Sequence, residues 1–405
     1  MERRVGKHIT GEGRAMGVGW RGPGRRRKAP QRPGAAEPDT PATGEPAEGV
    51  SYSITKHDGP DGVPVVNIKL TVTQEVAARW RLSGLYQEKG ETHPDTLTAA
   101  HELAEVLWGR NSAAEAVELF RHVVAGRRAV LGHGHPDTLK ATSSLAGALE
   151  DLGELAEAEQ LARAVRAEHA RASGEDHPDT LTSLARVVRI TLRLGRPAEA
   201  ERLARQVLAA RERVLGPEHR DTLSSRNDLA GALSEQGRLE DAECLYRQVA
   251  EDAARLLGLA DPLSLSSRAN QAAVLVRQGR WAEAERHYRS VVRLRVRSEG
   301  EGRRSTLAAQ SNLAAVLHRR GKAREAEALL RSVVEGRSQI FGADHPATLR
   351  SIGSLAAMMH HRGDRAEAEA LCRKVVAGYE RRFGPGDPRT VEARADLRLI
   401  LEDGR

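Results

Sequence analysis

Residues His135–Leu181 read HPDTLKATSSLAGALEDLGELAEAEQLARAVRAEHARASGEDHPDTL, and the stretch opens and closes on the same five residues, 42 positions apart. Leu139, Leu145, Ala146 and Leu149 fall at helical spacing on one stripe, which predicts a first helix, A, with one buried face. Gly153 ends it, because glycine accepts the left-handed conformation that a C-cap requires. A second helix, B, opens on Glu157-Ala158-Glu159, acids in a first turn that suit the helix dipole, and runs through Val165 towards Gly174. One unit is therefore a helical hairpin.

The same step extends along most of the chain. Leu97, Leu139, Leu181, Leu223, Leu265, Leu307 and Leu349 form one column, with Val391 one step further. Ala116, Ala158, Ala200, Ala242, Ala284, Ala326 and Ala368 form a second, and the valines from Val123 to Val375 a third. Glycine recurs from Gly90 to Gly384 at the end of helix B, and at Gly153, Gly195, Gly237, Gly279, Gly321 and Gly363 at the end of helix A, where the first unit has Asn111. HPDTL is complete at His93, His135 and His177, with HRDTL at His219 and HPATL at His345. Pro at the first helical position and Asp in the first turn restart each helix A. The repeated alanine inside EAE stays small where helices A and B cross closely. Self-similarity at a fixed period of this length marks a solenoid, in which each unit needs only its neighbours for a core.

With its HPDTL start, Asn at the centre of helix A in two units, Gly turn, EAE second helix and Leu-Gly end, the chain resembles the 42-residue tetratricopeptide repeat of the kinesin light chain type. The resemblance covers about residues 74–403. It implies an all-α, right-handed superhelical solenoid of antiparallel helix pairs, and a non-enzymatic scaffold or adaptor whose concave groove, lined by the A helices, takes an extended peptide or a partner helix. The family's central Asn stands here only as Asn270 and Asn312; the same slot holds Glu102, Ser144, Arg186, Asp228 and Ser354 in the other units.

Taking that slot as inward-facing, helix geometry adds the positions four before, three after and seven after it. The stripe then reads Thr98, Glu102, Glu105; Lys140, Ser144, Asp151; Thr182, Arg186, Arg189, Arg193; Asp228, Glu235; Asn270, Arg277; Asn312, Arg319; Arg350, His361. The functional expectation is a groove of Arg186, Arg189, Arg193, Asp228, Asn270, Arg277, Asn312 and Arg319. In it the arginines receive an acidic stretch of a partner through bidentate pairs. The plainer alternative is a solvated helix face.

The rest of the chain divides into a tail (1–50), a candidate β-hairpin cap (51–73), a half-repeat helix (74–92), seven repeats (93–389) and a capping helix (390–405). The tail has almost no apolar periodicity and is expected to be disordered. It carries ten Lys/Arg against six Asp/Glu, or +4 of the formal +7, so the repeat body is nearly balanced. Its basic run RGPGRRRKAPQRPG offers an alternative role at nucleic acid, although short basic runs in such tails are common, and Met16 offers a second start. A peptide-sensing regulator is the other alternative, but residues 1–73 contain no helix-turn-helix pattern.

Catalysis finds no support. Gly17–Gly22 fits GxGxxG without the strand and helix that would make it a dinucleotide site, and no GxxxxGK[ST] occurs. One His per repeat suits helix capping better than metal, and no cofactor is implied. Cys244 and Cys372 are far apart, and there is no apolar span or signal-peptide core, so a reducing cytoplasm is expected. The Ala- and Arg-rich, Lys-poor composition reads as that of a high-GC bacterium such as an actinomycete.

Overall fold

The computed structural model describes residues 50–58, 64–110 and 112–402. Residues 1–49, with the expected disordered tail, its basic run and the GxGxxG match, lie outside these, as does Asn111. Strands β1 (Val50–Asp58) and β2 (Pro64–Val72) pair antiparallel, Val50 opposite Val72 and Ile54 opposite Ile68. Thr73 then caps α1 (Gln74–Lys89), its hydroxyl accepting from the Val76 amide at 3.4 Å.

Seven helix pairs follow, each an A helix and then a B helix. They are α2 (Pro94–Gly109) with α3 (Ala113–Leu131), α4 (Pro136–Leu152) with α5 (Leu155–Ser173), and α6 (Pro178–Arg193) with α7 (Pro197–Leu215). Then come α8 (Arg220–Glu235) with α9 (Leu239–Leu256), α10 (Pro262–Arg277) with α11 (Trp281–Glu299), α12 (Arg304–Arg319) with α13 (Ala323–Phe341), and α14 (Pro346–Arg362) with α15 (Arg365–Phe383). A last A-type helix, α16 (Pro388–Glu402), has no B helix after it among the described residues.

The HPDTL motif gains a role for four of its residues. In His93, His135, His177, His219 and His345 the imidazole Nδ1 accepts from the amide two residues on, at 3.2 to 3.3 Å, so the histidine is the N-cap. Asp261 does the same in the fifth unit at 2.8 Å. Pro occupies the first turn, Leu enters the core, and the Thr is buried in every unit that has one. From Thr180 onward its hydroxyl donates back to the carbonyl of the glycine that ended the previous B helix, as in Thr180 to Gly174 and Thr222 to Gly216, both 2.8 Å; Thr96 reaches the Leu85 carbonyl instead, and the Thr138 hydroxyl has no partner among the described residues. The glycine sits at positive φ, 91° at Gly174, which a side chain would strain. Where that bond forms, the glycine carbonyl between repeats is satisfied inside the turn.

Packing follows the columns. Every alanine from Ala116 to Ala368 is 0% exposed, and the Leu97-to-Leu349 and Val123-to-Val375 columns are buried throughout. At roughly 25 cal/mol per Å² of apolar surface, each such leucine contributes about 2 kcal/mol, and no repeat can gather it alone. Besides its sequence neighbours, α6 touches α8 and α8 touches α10, so successive A helices form the inner, tighter layer and the B helices the outer one. The stack winds far enough for Arg110, Ser112–Glu115 and Asp151–Gly153 at two A–B turns to line the same cavity as residues of α12–α16.

The second acid of each EAE motif was expected to serve the helix dipole; the structure gives it another use. Glu159, Glu201, Glu285 and Glu327 each bind an Arg one turn later in their own helix and a cation from the next A–B turn: Arg196, Arg238, Arg320 with Lys322, and Arg362. That Arg often reaches on to the first acid of the next B helix, as Arg163 does to Glu199 at 2.8 Å. The outer layer is thus laced repeat to repeat. Glu285 is the most buried of these acids, at 5% exposure. Burial pushes its carboxyl up, but hydrogen bonds from Lys322, Arg289 and Arg320 outweigh this and hold it down at about 2. A depressed carboxylate stabilises above the unfolded value near 4.5 and loses that contribution as pH falls towards 2. Glu285→Gln is therefore expected to cost about 1–2 kcal/mol at pH 7, discounted because its partners are half-exposed, and to cost progressively less below pH 4.5. Urea denaturation of both proteins from pH 7 to pH 3 checks this; a pH-independent gap would contradict it.

Candidate functional site on the A helices

The inner layer presents one solvent-facing stripe per A helix. Thr98, Glu102, Glu105, Lys140, Asp151, Thr182, Arg189, Arg193, Glu235, Arg277, Asn312, Arg319, Arg350 and His361 are exposed, while Ser144, Arg186, Asp228 and Asn270 are half-buried on the same stripe. Apolar columns on the other faces of these helices enter the core, so helical periodicity leaves this face to the groove.

The arginine row is not open in the way the sequence suggested. Arg186 lies 3.2 Å from Glu150, and Arg193 donates to the Glu150 carbonyl at 2.8 Å with its guanidinium 3.8 Å from the same carboxylate. Arg189 faces Asp228 of the next repeat at 3.6 Å. Arg277 donates to the Ser234 hydroxyl at 2.8 Å and lies 3.4 Å from Glu235. Asn270 donates to Asn227 at 3.3 Å, and Asn312 hydrogen-bonds the Tyr288 hydroxyl, whose ionisation burial pushes up to about 12. Among the described residues Arg319 alone of the five groove arginines makes no ion pair. Glu150 and Asn227 escaped the sequence reading because they lie one position off the stripe; their reach across about 43 positions, to the neighbouring A helix, exists only once the repeats stack. His361 meets His318 of the preceding unit edge-on at 5.4 Å, another contact between units.

Asp228 is the electrostatic centre of the middle repeats. Its side chain is 11% exposed, and 3.6 Å to Arg189 is an ionic contact too long for a hydrogen bond, which leaves Oδ2 without a donor. Burial pushes its carboxyl up to about 6 against the pull of Arg189 and Arg211. Arg211, 4% exposed on α7, donates instead to the Asp221 carbonyl and Ser225 hydroxyl, both at 2.9 Å, and to Thr182 at 3.2 Å. Gly231, three residues after Asp228, leaves space above Leu192 and the Tyr246 hydroxyl; a Cβ there would come within 3.3 Å of both.

In the first two units Glu105 and Asp151 stand with Lys140, and Glu102 is paired with Arg81 at 2.5 Å; the middle units hold paired charges and amides, and the last units Arg319 and Arg350. Among the described residues no group of three or more His, Cys, Asp or Glu could hold a metal ion, and no helix is long and apolar enough to cross a membrane. The histidines of the HPDTL-type motifs cap helices, and Cys244 and Cys372 are free thiols.

Paired helices at a fixed 42-residue step, an inner layer of A helices and a polar groove define a helical-repeat solenoid. One tetratricopeptide repeat model matches residues 137–213, 186–255, 263–339 and 305–381, and another matches residues 96–137, so the chain belongs to the tetratricopeptide repeat family. It is similar to the nearly identical TPR-like repeats of a candidate kinesin light chain from Podosopora anserina, with 30% identity over 51% of this chain and 97% of that one, at a TM-score of 0.45. BtubC from P. vanneervenii matches at 16% identity over 57% of this chain and 91% of that one, TM-score 0.46. A signal-transduction ATPase with a tetratricopeptide repeat sensor, from Pyrococcus horikoshii, matches at 16% identity over 80% of this chain and 49% of that one, TM-score 0.48. No curated protein matches the chain.

A carboxyl raised in the fold stabilises below its unfolded value, here 3.8, and that contribution is lost as pH rises through about 6. Between pH 4 and pH 7 the stability of wild type relative to Asp228→Asn is expected to fall by about 2–3 kcal/mol. Guanidinium midpoints of the two proteins at both pH values measure the drift; parallel behaviour would show that Asp228 titrates normally.

Proposed function

We propose that the protein is a non-enzymatic scaffold that holds a segment of a partner protein along the A-helix groove. The observation that carries this reading is the division of labour among positions. The columns that pack the solenoid repeat from unit to unit, whereas the exposed groove stripe differs in every unit. A surface whose only task was solvation would have no reason to order its charges; a binding surface uses such an order to fix register and direction. Unpaired Arg319 and Arg350 in the last units, against a mixed stripe of Glu105, Asp151 and Lys140 in the first two, make the two ends of the groove unlike, which favours one orientation of a bound segment.

The paired middle narrows what the partner supplies. Arg186, Arg189 and Arg193 already have carboxylates, so an acidic side chain arriving there must compete with Glu150 or Asp228. Hydrogen-bonding neutral groups fit the middle units better, beside Asn270 and Asn312. The role proposed is adaptor-like: binding without turnover, by a surface of tens of ångströms rather than a pocket.

A photo-reactive aromatic residue placed at Ala315 in the groove, and separately at Arg286 on the outer layer, tests the reading in the source cell. A discrete cross-linked protein from Ala315 and none from Arg286 is expected. Cross-links from Arg286 alone would move binding to the outer face and end the groove reading.

A further inference from the structure

Successive hairpins are joined by a small set of recurring devices, and the junction between α11 and α12 lacks several of them at once. Every other A helix has a side-chain N-cap: the histidines of the HPDTL-type motifs, Asp261 for α10, and Asp387 for α16, which accepts from the Arg389 amide at 2.9 Å. Helix α12 opens on Arg303, whose backbone is extended in the same way, φ −81° and ψ 144°, but whose side chain makes no cap. Arg304 follows where α2, α4, α6, α10, α14 and α16 have Pro. This helix therefore starts without the amide acceptor and the fixed φ that start most of its neighbours.

Two further ties are missing at the same edge. Arg127, Arg211 and Arg337, near the ends of α3, α7 and α13, each donate to a carbonyl in the first turn of the next A helix at 2.9 to 3.0 Å. Arg295 holds the equivalent place on α11, half-buried, and makes no hydrogen bond among the described residues. The ends of α7, α9 and α15 are also pinned to the loop that opens their own unit, Arg213 to Asp176 at 2.5 Å, Arg255 to Glu218 at 2.8 Å and Arg381 to Asp344 at 2.6 Å. For Arg297 of α11 the matching position is Ala260, and this arginine makes no ion pair among the described residues. The turn itself is formed, since Thr306 reaches the Gly300 carbonyl at 2.9 Å and Arg303 Nε the Glu299 carbonyl at 3.3 Å.

The opposite edge of the same two repeats is held firmly. Glu285, 5% exposed near the start of α11, takes Arg289 of its own helix at 2.9 Å, Lys322 at 2.7 Å and Arg320, the last two from the turn between α12 and α13. Arg289 goes on to Glu325 of α13 at 2.6 Å. Two hairpins fixed along one edge and untied along the other can rotate about the fixed edge. We infer that the α11–α12 junction is a hinge, pivoted on the Glu285 cluster, that lets the repeats up to α11 and those from α12 onward change their mutual angle. Rotation there parts the end of α11 from the start of α12 and alters the curvature of the A-helix layer. The hinge is a property of the solenoid alone and does not depend on what the groove holds.

Amide hydrogen exchange of the full chain tests the untied edge, comparing Leu307 and Ala308 of α12 with Leu181 and Thr182, their equivalents in α6. After correction for intrinsic rates, the α12 amides are expected to exchange about fivefold to tenfold faster, the size of one missing cap. Distances between paired nitroxide labels test the rotation, in a chain carrying Cys244→Ser and Cys372→Ala. Arg286→Cys with Ala370→Cys spans the junction, and Glu118→Cys with Arg202→Cys spans the same two-repeat step before it; all four positions are exposed on B helices. The spanning pair is expected to give a distance distribution about twice as broad. Arg303→His with Arg304→Pro and Ala260→Asp rebuilds the motif and the loop pair; it should slow exchange in α12 to the α6 level and narrow the spanning distribution to that of the other pair. Helical circular dichroism confirms that the variants fold. Equal exchange in the two helices, equal widths for the two pairs, or a rebuilt junction that leaves the width unchanged would each overturn the hinge.

Discussion

Close crossing of helices A and B depends on the alanine in the middle of each EAE motif, from Ala116 to Ala368, which has no exposed surface in any unit. A larger side chain there would force the two helices apart and pull the buried leucine and valine columns out of register with it. Because the same constraint recurs every 42 residues, the rotation from one hairpin to the next is repeated as well. Curvature of the stack, and the groove on its inner side, follow from that small residue.

Repetition creates a polar problem that the fold solves in a similar way in most units. Every unit brings the end of a B helix and the start of an A helix close to the core, with amides and carbonyls that lack helical partners. Histidine Nδ1 takes an amide at one side of the turn, threonine Oγ1 answers the glycine carbonyl at the other, and buried arginines such as Arg127 and Arg211 donate to a carbonyl ten residues on, Asp137 and Asp221. A buried guanidinium here is thus a clamp on the next helix. The outer ion pairs centred on Glu159, Glu201, Glu285 and Glu327 bind neighbouring repeats in one register, though each exposed pair by itself contributes little.

Groove chemistry obeys the same logic of neutralisation, which is why a count of arginines misleads. Arg186, Arg189 and Arg193 look in sequence like the richest cationic surface, yet stacking brings Glu150 and Asp228 to them. Charge that a partner can use is the charge that stacking leaves over, and on the groove stripe it includes Arg319 and Arg350 of the last units.

The sequence by itself determined the helical hairpin, its period, the small and apolar columns and the exposed face of each A helix. Each of these depends on contacts within one unit or between adjacent units, which a fixed spacing records. Only the tertiary structure decided which charges are spent inside the molecule, what the second glutamate of EAE and the threonine of HPDTL hold, and which arginines meet across the last three repeats. Those pairings join side chains about 36 to 43 positions apart, or further where the stack comes round on itself. Their partners are set by rotamers and by the rotation between repeats, neither of which leaves a periodic mark in the chain.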